Sequence, residues 1–298
     1  MISSRMLVVI DCVSDTHTYH KSIRFPPAPE GCVHVLVHAG DFTHRGSRAE
    51  IQAFANWFRQ QPHKHKIVIC GNHECNADAE WVPRRKEILR DRAVVYENKG
   101  FLFEADQTRR ELKGIEYVDV ASKFKNQLYL IDSGVEIAGL KFWGSPYSKE
   151  FHGWGFSVPV EDAAEKWAAI PDDVDVLVVH GPPKYHGDAC PDDKDENITA
   201  NVGCPELLAR IRAVKPKVVI TGHIHEAAGV YHMDTGTIVV NAAYVIHDRA
   251  FRGYKMRGVA HRVTIDTDTG SVSVTKVKVF KWSLSAMDLT LLDLQKLK

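Results

Sequence analysis

Val218-Val219-Ile220 leads straight into Thr221-Gly222-His223-Ile224-His225, a short apolar run followed by a glycine and two histidines. Short runs rich in Val, Ile and Leu read as strands buried on both faces, the habit of parallel sheets. The same order recurs upstream. Met6–Ile10 is followed by Ser14-Asp15-Thr16-His17, Val33–Val37 by Gly40-Asp41, Ile67–Cys70 by Gly71-Asn72-His73-Glu74, and Val174–Val179 by His180-Gly181-Pro182-Pro183. Amphipathic segments at Ser47–Gln60, Ala77–Arg90, Glu161–Ala169 and Pro205–Val214 lie between the runs, so strand and helix alternate as in βαβ units. Ligands of open α/β sheets sit outside the carboxyl ends of the strands, so the five polar loops are expected to converge.

Ile238–Val240 is one more apolar run. Gln127–Ile131, Val135–Phe142, Ala260–Ile265 and Val272–Val279 have period-2 character and add antiparallel pairing, which predicts a two-sheet α/β sandwich. One domain is expected over residues 1–298. The charged, poorly periodic stretch 100–126 reads as an insertion or lid. The tail from Trp282, with Leu289, Leu291, Leu292, Leu294 and Leu297, reads as a docking helix or a dimer contact.

Composition narrows the class. Across 298 residues, 38 Lys and Arg balance 38 Asp and Glu, which argues against broad electrostatic capture of nucleic acid or anionic membrane. A 44% hydrophobic content suffices for a large core. Cys12, Cys32, Cys70, Cys75, Cys190 and Cys204 form no C-x-x-C pair and read as reduced thiols. Met6–Ile10 is too short for a signal or spanning segment, and no apolar stretch of about 18 residues occurs, so a cytoplasmic protein is expected. Sixteen histidines are the raw material of a metal site, and position must separate ligands from surface rings.

The residue types at the strand ends fit a binuclear centre. Asp15 and His17 are two apart, as are His223 and His225, a spacing that puts both side chains on one side of an extended segment. The Asp41 carboxylate can bridge ions about 3.5–4 Å apart, a separation suited to in-line displacement at phosphorus. Oxygen and nitrogen donors without thiolate favour Mn, Fe, Zn or Ni. Each motif alone is weak; the order D-x-H, G-D, G-N-H-E, H-G, G-H-x-H, each after an apolar run, is what carries weight.

That ordered set resembles the calcineurin-like metallophosphoesterase superfamily. Gly40-Asp41-Phe42-Thr43, Gly144-Ser145-Pro146, Gly153-Trp154-Gly155-Phe156, His180–Pro183, Val202-Gly203-Cys204 and Gly222–Glu226 are further similar to its metallophosphoesterase-domain-containing subfamily, described from brain and fetal tissue. The resemblance covers about Leu7 to Asn241. It implies a four-layer αββα sandwich of two mixed sheets flanked by helices, and a metal-dependent phosphodiesterase using a metal-bridging hydroxide for in-line attack. It assigns Asp15, His17, Asp41 and His225 to a first divalent ion and Asp41, Asn72, His180 and His223 to a second. Manganese is the first choice, with Fe, Zn, Ni or Mg compatible. His73 takes the place of the catalytic histidine facing the leaving oxygen, and Asn72 and His73 also contact substrate. Some vertebrate members carry Gly where His223 stands here, so this chain is expected to fill both sites.

Other residues are weighed beside these. Thr43-His44-Arg45-Gly46 resembles the G-D-x-x-D-R-G motif of phosphoprotein phosphatases, and Arg45 is a candidate for substrate phosphate or a plain loop arginine. His186 and Asp188 fall in a loop bordering the site, where they are candidates for substrate contact, His186 foremost, or plain surface residues. Glu74 supports the His73 loop or is purely structural, and Asn241 is an anchor or a turn former. Phe151, Trp154 and Phe156 around His152 stack on a base or pack their loop. Arg249, Arg252, Lys255 and Arg257 read as a solvated basic loop. Nine histidines, among them His34, His63 and His247, need no catalytic explanation. The expected partner is a small phosphodiester or a nucleotide, without membrane or nucleic acid, and the oligomeric state is left open. The alternatives are a phosphomonoesterase or phosphoprotein phosphatase on the same core, and a low-turnover nucleotide-binding regulator.

Overall fold

The structure, a computed structural model, describes residues 6–191, 198–248 and 253–279. The leucine-rich tail from Trp282, and Arg249 and Arg252, lie outside the described residues. Leu7–Val13 is the centre of a six-stranded sheet. It pairs parallel with Val33–Ala39, which is followed by His65–Ile69 and Leu128–Tyr129, and antiparallel with Val259–Asp266, which pairs in turn with Val272–Lys278. A second six-stranded sheet runs Gly229–His232, Ile238–Asn241, Val218–Thr221, Val176–Val179, Leu140–Ser145 and Ser133–Ile137, parallel inside and antiparallel at both edges.

Strand alternation builds the layers. Val8, Ile10 and Cys12 point between the sheets, where they meet Val176, Val178, Val218, Ile220 and Val240 from the opposite sheet. Val13, Leu36 and Val68 point outward and are covered by Phe54 and Phe58 of the helix Arg48–Arg59. Leu177, Val179 and Val219 are covered by Trp167 of Ala163–Ala168 and by Leu207 and Ile211 of Pro205–Val214. Helix, sheet, sheet and helix therefore stack as the expected αββα sandwich. None of the six cysteines is in a disulfide, and among the described residues no helix is long and apolar enough to cross a membrane.

Three departures from the sequence expectation have local causes. Val135–Phe142 is two strands, because Ala138 and Gly139 both take positive φ (52° and 78°) and make a two-residue hairpin turn that pairs Ile137 with Leu140. The helix expected from Ala77 starts at Trp81, since the Asp78 carboxylate accepts the N–H groups of Glu80 (2.9 Å) and Trp81 (3.0 Å) and so ends the preceding turn. That helix continues to Asn98 because the segment after residue 100 contains a helix of its own, Leu102–Gly114, laid against it. Only Ala105 and Thr108 of Leu102–Gly114 are buried, so it has almost no apolar stripe to read; the Arg85–Glu111 and Arg109–Glu97 ion pairs tie the two helices together.

Arg48–Arg59 opens on a capping box: Ser47 Oγ accepts from Glu50 N–H, and the Glu50 carboxylate accepts from Ser47 N–H. Its Phe54 ring stacks on Phe42 at 4.2 Å, directly after Asp41, so the outer core sets the position of a candidate ligand. Phe54→Ala is expected to cost about 3–5 kcal/mol, measured by urea unfolding. A cost below about 1 kcal/mol would contradict this packing.

Candidate active site

Backbone hydrogen bonds draw four of the five strand ends together. Asp15 N–H donates to Gly40 O (2.9 Å), His17 N–H to Asp41 O (3.0 Å) and Gly222 N–H to His180 O (3.0 Å), while Ser14 N–H reaches Ala242 O (2.9 Å) across the two sheets. Three overlapping groups result, each with donor atoms within 4.8 Å of one another: Asp15, His17 and His225; His17, Asp41 and His73; and Asp41, His180 and His223. Asn72 joins the last group through Oδ1, 3.0 Å from His180 Nε2 and 2.8 Å from His223 Nδ1. All seven residues assigned to metals by resemblance are thus in one cluster, along with His73.

The donor set suits cations. His17 Nδ1–H donates to the Thr43 carbonyl (3.0 Å) and His180 Nδ1–H to the Ala39 carbonyl (2.8 Å), which directs each Nε2 inward. His17 Nε2 faces His225 Nε2 at 3.2 Å, His225 Nε2 lies 3.2 Å from Asp15 Oδ1, and His180 Nε2 lies 3.3 Å from Asp41 Oδ2. Burial lowers His17 to about 3 and His223 to about 4, so both are neutral donors at neutral pH. For His180 burial is outweighed by the adjoining Asp41, with Asp15, and the ring is raised to about 9. Asp15 and Asp41 are held well below the carboxylate range against the pull of burial, by His225 and His180 respectively. Two buried carboxylates therefore draw positive charge inward, a charge that divalent ions would supply in place of ring protons.

Much of this geometry is strained. Asp15, His17, Asp41 and His223 all sit at positive φ (50°, 37°, 56° and 67°), a region that non-glycine residues enter at a cost of order 1–3 kcal/mol each. A buried carboxylate helps hold it. Glu74 accepts from the N–H groups of Gly71 (2.8 Å), Asp41 (2.9 Å) and Thr43 (2.8 Å) and from Thr43 Oγ1 (2.7 Å). Burial, with the Asp41 charge, raises Glu74, and the Thr43 and Gly71 hydrogen bonds to its carboxylate pull the other way. Gly222 is needed for approach: a Cβ there would strike the Asp15 carboxylate and Ser14 Oγ.

A strand pair absent from the sequence expectation covers the site. Val245–Asp248 pairs with Gly253–Met256, placing His247 opposite Tyr254. The Tyr254 ring lies flat on His17 (4.6 Å, 4°), and the His247 ring on His225 (4.8 Å, 18°), so one cross-strand pair seats two candidate ligands. His73 N–H donates to Asp41 Oδ1 (2.9 Å) and its Nδ1–H to His44 O (2.7 Å), so Nε2 is the ring nitrogen without a hydrogen bond among the described residues; the Trp154 ring lies against it at 4.3 Å.

The remaining candidates are distributed around this centre. Asn241 is an anchor, donating to Gly187 O (2.9 Å) and Ile224 O (2.8 Å), and Arg257 holds the His225 carbonyl. Asp188 accepts from Gly203 N–H and Asn201, while His186 Nδ1 meets the Lys184 carbonyl and has no hydrogen bond to the cluster. Phe156 is buried and packs its loop. Arg45 lines a cavity with Trp154 rather than joining the ligand groups. A fourth group, Asp11 with His34 and His63, sits elsewhere; Arg262 already grips Asp11 through both carboxylate oxygens (2.7 and 2.9 Å), which makes it an ion-pair network.

Comparison with known proteins agrees with this arrangement. The family model described as calcineurin-like phosphoesterase matches residues 8–227, a span holding every cluster ligand from Asp15 to His225. Metallophosphoesterase domain-containing protein 1 of Homo sapiens is 38% identical over 234 residues, 78% of this chain and 64% of that protein. A UPF0046 protein of Caenorhabditis elegans is 34% identical over 233 residues, 78% of this chain and 68% of that protein. This chain thus spans less than two thirds of the human relative's length.

Glu74→Gln, which turns an acceptor into a donor against backbone N–H groups, is expected to cost about 1–3 kcal/mol in thermal unfolding and to lower divalent-metal content. Unchanged metal content would show that the loops do not depend on it. Tyr254→Ala is expected to weaken Mn²⁺ uptake about tenfold in chelator competition, and Tyr254→Phe to restore it, since the ring face and not the hydroxyl touches His17. Equal loss in both variants would refute the ring-seating role.

Proposed function

The chain belongs to the calcineurin-like phosphoesterase family, and from that premise we propose that it is a binuclear metal-dependent phosphodiesterase acting on small diesters such as nucleotides. The observation that carries the reading is the convergence of Asp15, His17, Asp41, Asn72, His180, His223 and His225 on one cluster with His73 beside it. Asp15, His17, Asp41 and His225 would hold one ion, and Asp41, Asn72, His180 and His223 the other, Asp41 being common to both. Mn²⁺ fits the mixed oxygen and nitrogen donors. Bound divalent ions supply an acidic water and neutralise the non-bridging oxygens of phosphorus.

The chain's own residues do the rest. The Ala39 and Thr43 carbonyls fix the ring orientation of His180 and His17, with each Nε2 turned into the cluster. His73 has Nδ1 committed to His44 O, and its Nε2 can hand a proton or hydrogen bond to the departing oxygen. Room on both sides of the centre favours a diester, whose phosphorus carries two substituents. A cavity of about 770 Å³ abuts His223 and His225, with Phe151, Pro182, Val202 and Ile224 in its wall, and a second of about 610 Å³ reaches His73 through Trp154. The apolar wall of the first suits an aryl or base group on the retained side.

Loaded with Mn²⁺, the protein is expected to hydrolyse bis-p-nitrophenyl phosphate faster than p-nitrophenyl phosphate; the reverse ranking would favour a monoesterase. His73→Ala is expected to lose about 10²–10⁴-fold in kcat with metal content unchanged, and Asp41→Asn to lose both activity and metal. Full activity of Asp41→Asn would end the binuclear reading.

A further inference from the structure

Building on the proposed diesterase, we infer that the leaving alcohol of the substrate carries a second phosphate, received by the cavity beyond His73. That cavity, of about 610 Å³, is lined by Arg45, Arg85, Arg110, His152, Trp154 and Glu111 among others. Its wall continues from the catalytic histidine: Trp154 lies on the His73 ring at 4.3 Å, and His44, whose carbonyl accepts from His73 Nδ1, directly precedes Arg45. Through Trp154 this cavity adjoins His73 on the side away from the one at His223 and His225, so we assign it to the departing group and the other to the substituent that stays on phosphorus.

The charges of the two cavities differ. The retained-side wall has Lys149 set against Glu150 and Glu226. The leaving-side wall has three arginines and one glutamate. Two of those arginines are already engaged, Arg85 with Glu111 (2.7 Å) and Arg110 with Asp106 (2.7 Å). Arg45 has no ion-pair or hydrogen-bond partner among the described residues, although it stands beside a loop in which nearly every polar group is paired. The reacting phosphate would draw its positive charge from ions held by the Asp15–His225 cluster. A free guanidinium placed beyond His73 is therefore available to a second anion, and its planar fork matches phosphate bidentately. In the reaction water adds to phosphorus and the P–O bond to the alcohol breaks. The alcohol leaves with a proton, giving one phosphomonoester and one alcohol that bears the second phosphate.

The test compares thymidylyl-thymidine with the same dinucleotide carrying a terminal phosphate at its 5′ or its 3′ end, using Mn²⁺-loaded protein and bis-p-nitrophenyl phosphate as the reference diester. One phosphorylated form is expected to exceed the plain dinucleotide about tenfold in kcat/KM at low ionic strength, and the ratio to fall in about 0.5 M NaCl because Arg45 is exposed. Arg45→Ala should bring the ratio close to unity, and Arg45→Lys should restore part of it. Equal rates for plain and phosphorylated dinucleotides, a preference that survives Arg45→Ala, or hydrolysis of the reference diester alone would each overturn the inference and leave the diesterase reading standing. Failure to hydrolyse any diester with metals bound would overturn the diesterase reading, and this inference with it.

Discussion

A single buried acid, Glu74, joins more of this site than any one candidate metal ligand does. Glu74 takes four hydrogen bonds from two loops that follow different strands, one bearing Asp41 and the other opening on Gly71. Those loops supply the carboxylate and the amide that face His180 and His223. Without an acceptor between them, three backbone N–H groups would be buried unpaired, and Asp41 would lose the support that keeps it at positive φ. The rest of the centre is assembled around this junction.

Strain and support are arranged in layers outward from it. The strained residues Asp15, His17, Asp41 and His223 are contiguous with strands whose side chains are almost wholly buried. Such strands are the stiffest part of a sandwich, and that stiffness lets a few residues be held in costly conformations. Outside them lie rings: Phe42 on Phe54 behind Asp41, Tyr254 on His17, His247 on His225, and Trp154 on His73. Aromatic faces hold imidazoles in place without competing for the nitrogen lone pairs, so they orient ligands and leave donor capacity intact.

How much of this was legible in the sequence differs by feature. The apolar runs, their polar ends and the helix Pro205–Val214 could be read directly, because burial on both strand faces and an amphipathic helix period leave local marks. Val135–Phe142 was read as one strand because Ala138-Gly139 is a weak turn signal, and the hairpin shows only once Ile137 pairs with Leu140. Leu102–Gly114 escaped because a helix held by ion pairs and two small buried residues has no apolar period. Glu74 was visible as an acid next to His73, but its four donors come from the fold. Tyr254 and His247 left no trace, since a ring that packs on another ring needs no particular spacing from it in the chain.

The sequence by itself determined the chemistry: which donors are present, that they follow buried strands, and that an α/β sandwich would bring them to one edge. These properties are local, resting on side-chain type and on a hydrophobic period of a few residues. Only the tertiary structure decided which nitrogen of each histidine faces inward, which loops Glu74 joins, and which rings lie on His17 and His225. It also decided that Arg45 lines a cavity beyond His73. Each of those depends on strand register and loop closure between segments as much as two hundred residues apart, and no pattern along the chain encodes a contact whose partner is chosen by the sheet.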